Sequence, residues 1–196
     1  TTTPSIKGCG SLTRLLDPIA PMVAALLCAT ASSGLAEPGQ DNRAPAVPAT
    51  LEVPDGNKVS FHGHAEGVQI YVSTPSATDA TRFVWTFRAP EAVLFDNDGN
   101  VVAIHYAGPT WESESGSKVV GARVAGVTVD STAIPWLLLS AVTARTEGPG
   151  IFARTTYVQR VNTTGGLAPA AAPTEAGLEA RVPYTADYYF FRESHH

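Results

Sequence analysis

The chain has 196 residues, with 13 lysines and arginines against 18 aspartates and glutamates and a formal charge of −5. A mildly acidic chain with scattered basic residues has no stripe for tracking phosphates, which excludes nucleic acid as a partner. The length fits one domain, typically about 100–150 residues, plus an appendage.

The appendage comes first. Residues 15 to 36, "LLDPIAPMVAALLCATASSGLA", follow Lys7 and Arg14, carry an apolar run around Met22 to Cys28, and end in small residues at Gly34 and Ala36. This is the layout of a secretory signal peptide over residues 1 to 36, cleaved after Ala36. The apolar run falls short of the roughly 20 residues that a helix needs to span a bilayer. Bulky Leu27 before Cys28 argues against a lipid anchor. The chain's two cysteines, Cys9 and Cys28, both lie in this leader. A secreted or periplasmic domain is therefore expected that is held by its own core, with no membrane span.

Residues 37 to 50, "EPGQDNRAPAVPAT", read as a flexible Pro/Ala-rich arm. From Leu51 turn signals recur at "PDGN" (54 to 57), "AEG" (65 to 67), "DNDGN" (96 to 100), "AGP" (107 to 109), "ESGS" (114 to 117), "EGPG" (147 to 150) and "TTGG" (163 to 166). Between them lie short segments rich in β-branched and aromatic residues, among them "KVSFHGH", "VQIYVS", "NVVAIHYA" and "YTADYYFF". This pattern predicts one all-β domain over residues 51 to 192, an antiparallel sandwich or barrel, with 193 to 196 as a tail. "AIPWLLLSAVTAR" (133 to 145) fits a buried strand or a short helix opened by Pro135, and is read as a strand forming a hairpin with "IFARTTYVQRV".

"HYAGPTWE" (105 to 112) gathers the chemistry-bearing residues. In "NVVAIHYA" the bulkier Val102, Ile104 and Tyr106 share one face, read as the core side, which leaves His105 facing solvent or a shallow concavity. His105 and Glu112 are the catalytic candidates, since a carboxylate tunes and orients an imidazole. The alternative is a structural corner with Trp111 in the core. Trp136 is likewise expected to be buried.

Arg160 in "TTYVQRVN" shares a face with Val158 and Asn162 and needs a carboxylate, which Asp187 or Glu112 would supply. Tyr106, Trp111, Arg160, Asn162, Tyr184 and Asp187 are the ligand-binding candidates. His62 and His64 share a strand face, but two histidines do not complete a metal site. "DNDGN" lacks the ligand spacing of a calcium loop and reads as a hairpin turn. No glycine motif for a dinucleotide, nucleophile elbow or zinc quartet is present in the sequence, and no cofactor is expected.

Taken together, "AEGVQIYVS", "APEAVLFDNDG", "HYAGPTWE", "GSKVVG", "AIPWLLL", "YVQRVNTTGGLAP" and "VPYTADYYFFR" resemble an uncharacterised family of secreted bacterial and fungal proteins, a domain of unknown function, over residues 47 to 192. Some fungal members carry the label malate dehydrogenase, but no βαβ unit with a glycine turn supports that label here. The resemblance further implies a disulfide in many relatives, at places held here by Ser73 and Pro173.

Three functions remain open at this point: a non-enzymatic binding or envelope-associated module, whose partner is an envelope glycan or protein; a hydrolase or lyase using His105, Glu112 and Arg160; and a structural or stress-protective envelope protein. Whether those three side chains share a cleft discriminates among them.

Overall fold

The computed structural model describes residues 43–142 and 148–194. Residues 1–36, read as a leader, and the terminal His195 and His196 lie outside the described residues. Eight strands follow in order: β1 (Asn57–Pro75), β2 (Phe83–Phe95), β3 (Val101–Tyr106), β4 (Thr110–Ser113), β5 (Lys118–Val127), β6 (Trp136–Ala141), β7 (Thr155–Gly165) and β8 (Glu179–Glu193). Each pairs antiparallel with the next, and β8 pairs back onto β1, so the sheet closes into an up-and-down barrel. Closure leaves the barrel without an edge strand to pair with another chain.

The turn at "DNDGN" is a tight hairpin connection. Gly99 supplies a φ of 82°, and the Asp96 carboxylate accepts bonds from the amides of Asp98 and Asn100 at 3.0 and 2.8 Å. The turn expected at 65 to 67 does not form, because β1 runs through it. Ala65 and Gly67 sit on the inner face, and a Cβ at Gly67 would collide with the Glu91 carbonyl and Ala92. The small residues here let β1 and β2 approach closely instead of reversing the chain. Within 133–145, residues 136–141 form β6 between β5 and β7, as the strand reading required. Residues 143–147 lie outside the described residues.

The barrel interior has two ends of different character. At one, inward side chains from many strands make an aromatic core: Phe61, Leu94, Val119, Val158 and Phe190 pack with Phe152, which comes from the turn before β7. Phe152 packs tilted against Phe190 at 4.6 Å and edge-on against Phe61 at 5.9 Å, closing that end. The other end is open.

A second apolar cluster, Val59, Val161, Tyr189 and Phe191, lies on the outer face and is joined by Val47, Val53, Trp136 and Tyr157. Trp136 is thus half-buried against the outside of the barrel, while Trp111 is in the inner core at 1% exposure. The arm read as flexible over 37 to 50 is docked from Val47 onward. A single 3-10 turn, Ala49–Leu51, rests on β5 and β6 with Leu51 fully buried, and its carbonyl accepts a 2.7 Å bond from the buried Gln159 amide. The outer apolar patch is what recruits this segment, since left bare it would expose Tyr189 and Phe191 to water.

Elsewhere the outer face carries charge, including the pair Arg181–Glu91 at 2.6 Å. An apolar interior with a charged exterior is the reverse of a water-filled transmembrane barrel. Among the described residues no helix is long and apolar enough to cross a membrane.

Candidate functional site

The open half of the barrel holds a cavity of about 600 Å³. Its floor is built by cross-strand neighbours. His105 on β3 pairs with Trp111 on β4, and their rings stack at 4.5 Å with 9° between planes. Tyr188 of β8 closes edge-on against both, at 5.1 and 5.3 Å. Leu137 and Leu139 of β6 form one wall, and the other is formed by Tyr71 and Phe87, cross-strand partners whose rings meet edge-on at 5.7 Å. Beyond these, β1 and β2 continue as a hairpin past the barrel mouth. The Tyr71 hydroxyl ties that hairpin to the β7 end by a 2.6 Å bond to the Gly166 carbonyl.

The polar groups of the cup are mostly donors. His105 is 3% exposed, and its Nδ1–H donates to the Thr110 carbonyl at 2.8 Å. That bond fixes the tautomer and leaves Nε2 as an acceptor. Burial, with the positive charge of Arg160 adding to it and the Thr110 bond opposing, holds the imidazole pKa down to about 3. His105 is therefore neutral at any physiological pH. Arg160, half-buried on β7 between Leu137 and Tyr188, donates from Nε and Nη2 to the Pro135 carbonyl at 3.1 and 2.8 Å. The indole N–H of Trp111 is a buried donor with no partner among the described residues, the buried amide of Gln69 reaches only toward the Tyr184 hydroxyl, and both side chains line the cavity. Burial raises the Tyr188 phenol above its ordinary range, so it too remains a neutral hydroxyl.

The sequence candidates divide between the two faces of the sheet. His105, Trp111 and Arg160 converge on the cavity, and Tyr184 lies beside it with its hydroxyl 3.5 Å from that of Tyr188. Tyr106 and Glu112 bond each other at 2.6 Å on the outer side, so the His105–Glu112 pair is not formed. The core side of β3 is also the reverse of the one expected: Ala103 and His105 point inward and are buried, while Ile104 is exposed. At this end the barrel wall borders a cavity instead of packed side chains, so small and polar residues occupy its inner face.

The carboxylate expected for Arg160 is also elsewhere. Asp187 faces outward, accepting from Asn162 Nδ2 at 2.8 Å and lying 2.8 Å from His64 Nδ1. Burial pushes Asp187 up, but its bonds with His62, Asn162 and His64 outweigh this and hold its carboxyl at about 2. Asn162 parts from the Arg160 face because β7 is irregular between Val161 and Thr164, with Asn162 at a φ of 50°. His62 stacks on Tyr189 at 4.3 Å. Among the described residues no group of three or more histidines and carboxylates is placed to hold a metal.

Gln69, Tyr71, Phe87 and Tyr188 were not picked out from sequence. A signal exists for two of them: Gln69 interrupts the apolar run "GVQIYVS" at the same parity as Gly67 and Tyr71, which marks a strand face turned toward something polar.

The fold and site together define a single closed eight-stranded antiparallel barrel with one end packed and the other hollowed into a donor-lined cup. The chain belongs to the family described as Protein of unknown function (DUF3455), whose model matches residues 54–192. No curated protein and no solved structure matches the chain significantly.

Proposed function

We propose that this protein is an exported, non-enzymatic binding module that holds a small, largely apolar molecule in the open half of its barrel. The observation that carries this reading is the cavity of about 600 Å³ walled by Trp111, Tyr188, Tyr71, Phe87, Leu137 and Leu139. Eight strands give an interior just wide enough to be filled by side chains or to hold one small ligand, and ligand cavities run about 300–1,000 Å³. Export is supported by the leader pattern of residues 1 to 36. A binding role is favoured over hydrolysis because His105 lacks a carboxylate partner and lies against aromatic rings. The cup offers positioned donors on a rigid sheet, which suits holding a molecule in one orientation.

The test is a fluorescence titration with the neutral apolar probe N-phenyl-1-naphthylamine. Saturable enhancement is expected, and it should be abolished by Leu137→Trp, which fills the cavity from a half-buried wall position. No saturable binding, or binding unaffected by Leu137→Trp, would remove the cup from consideration.

A further inference from the structure

We infer that the molecule held in the cup is an acid, an apolar body carrying one carboxylate, and that Arg160 is the residue that binds its head group. This inference rests on the cup reading above and adds the ligand's chemistry.

The first ground is the state of the Arg160 guanidinium. Its Nε and Nη2 both donate to the Pro135 carbonyl, which occupies the side edge of the fork and fixes its plane. The guanidinium also interacts with the Tyr188 hydroxyl, but its end-on edge, with one N–H on each terminal nitrogen, meets no carboxylate among the described residues, and this is the edge that grips a carboxylate bidentately. Among the described residues no carboxylate pairs with Arg160. An arginine drawn to the inside of a sheet without a counter-charge is expensive unless an anion arrives.

The second ground is the balance of charge at the cavity. Its lining includes three arginines, Arg88, Arg123 and Arg160, and no aspartate or glutamate. Arg88 is matched by Glu179, while Arg123, exposed at the mouth, pairs with no carboxylate among the described residues. The chain as a whole is acidic, so this positive concentration is local to the cup. Such a cleft raises the local concentration of anions and rejects cations.

The third ground is the buried indole donor Trp111 Nε1, which has no partner among the described residues, together with the buried Gln69 amide, which reaches only toward the Tyr184 hydroxyl. Buried donors are nearly always satisfied in folded proteins, and each unsatisfied one asks for an acceptor. Ligand oxygens would supply acceptors, and the aromatic and leucine walls would take the apolar body.

The experiment compares octanoate with octanamide, equal in length and differing in charge, by isothermal titration on the intact protein. Octanoate is expected to bind at least about tenfold tighter, the least that a charge-assisted bidentate contact should contribute. Arg160→Gln should bring the two ligands to near parity, Arg160→Lys should restore part of the preference, and Arg123→Gln at the exposed rim should lower octanoate affinity modestly and in a salt-sensitive way. N-phenyl-1-naphthylamine binding reports whether each variant keeps its cup. Equal affinity for octanoate and octanamide, or no binding of either while the neutral probe still binds, overturns the acid assignment and leaves the cup standing. Loss of the neutral probe from the unaltered protein would instead overturn the cup, and the acid with it.

Discussion

The imidazole of His105 lies flat against the indole of Trp111, ring centroids 4.5 Å apart and planes within 9°. This stack joins two adjacent strands from the inside and forms the boundary between the packed end of the barrel and the hollow one. A charged imidazole there would lose its hydration to an apolar floor, so the stack works only with His105 neutral.

A pH dependence follows. In the unfolded chain His105 titrates near the usual ~6.5, whereas in the fold it is held down to about 3. Below pH ~6.5 the unfolded state takes up a proton that the folded state refuses, so stability falls as pH falls, by up to about 1.4 kcal/mol per pH unit, until pH nears 3. The depressed Asp187 adds a separate loss at lower pH, from its usual value near 3.8 toward about 2. Urea denaturation between pH 7 and pH 4 should show the steeper slope in the unaltered protein and a shallower one in His105→Gln. Parallel slopes would mean that His105 is protonated without hindrance in the fold.

The two tryptophans first grouped together should separate in stability. Trp111 is almost fully buried in the inner core, so Trp111→Ala should cost about 3–5 kcal/mol. Trp136, half-buried on the outer cluster, should cost distinctly less when replaced. Equilibrium denaturation of the two variants orders them, and the opposite order would contradict the assignment of inner and outer faces.

The segment before the barrel should act as part of the fold. Leu51→Ala removes a fully buried side chain and is expected to cost about 2–5 kcal/mol. Limited proteolysis should leave residues 47–53 intact in the unaltered protein and cut them early in the variant. Early cleavage in both would show that the segment does not stay docked.

The loop after β7 bears on the disulfide that the resemblance implies for relatives. Ser73 Oγ donates to the Glu175 carbonyl at 2.6 Å, its backbone N–H donates to the Leu178 carbonyl at 2.8 Å, and its carbonyl accepts from the Gly177 N–H at 2.9 Å, so position 73 faces the segment in which relatives are expected to carry a cysteine. With Cys9 and Cys28 replaced by serine, Ser73→Cys combined with Pro173→Cys or Ala172→Cys should oxidise within one chain. The bridge should then raise stability by up to about 4–5 kcal/mol, less any strain. Failure of both pairs to close would show that the implied pairing of position 73 with residue 172 or 173 is wrong.

Composition and turn chemistry made the strand content legible: "DNDGN" and "ESGS" connect strands as read, and the apolar run at 136–141 is a strand. What escaped was curvature and sidedness. "AEG" carries turn residues, yet in a barrel the same small residues serve close strand approach, and only the partner strand distinguishes the two uses. Apolar bulk does not mark the inner face of β3, because this barrel's hollow end puts Ala103 and His105 inward and leaves Ile104 exposed. The convergence of His105, Trp111 and Arg160 depends on β3, β4 and β7 meeting across a closed sheet, and no local spacing encodes that. Asn162 left the Arg160 face through a backbone irregularity at a non-glycine residue, which alternation cannot foresee.

The most direct measurement of the cup is the indole N–H resonance of Trp111 in a two-dimensional NMR titration with octanoate, assigned by comparison with Trp111→Phe. The buried, unpartnered N–H should shift downfield as it gains an acceptor and reach saturation with the calorimetric binding curve, while the Trp136 indole on the outer face stays in place. A Trp111 resonance unmoved at saturating octanoate, with shifts confined to Trp136 or to other outer-face residues, would contradict the account.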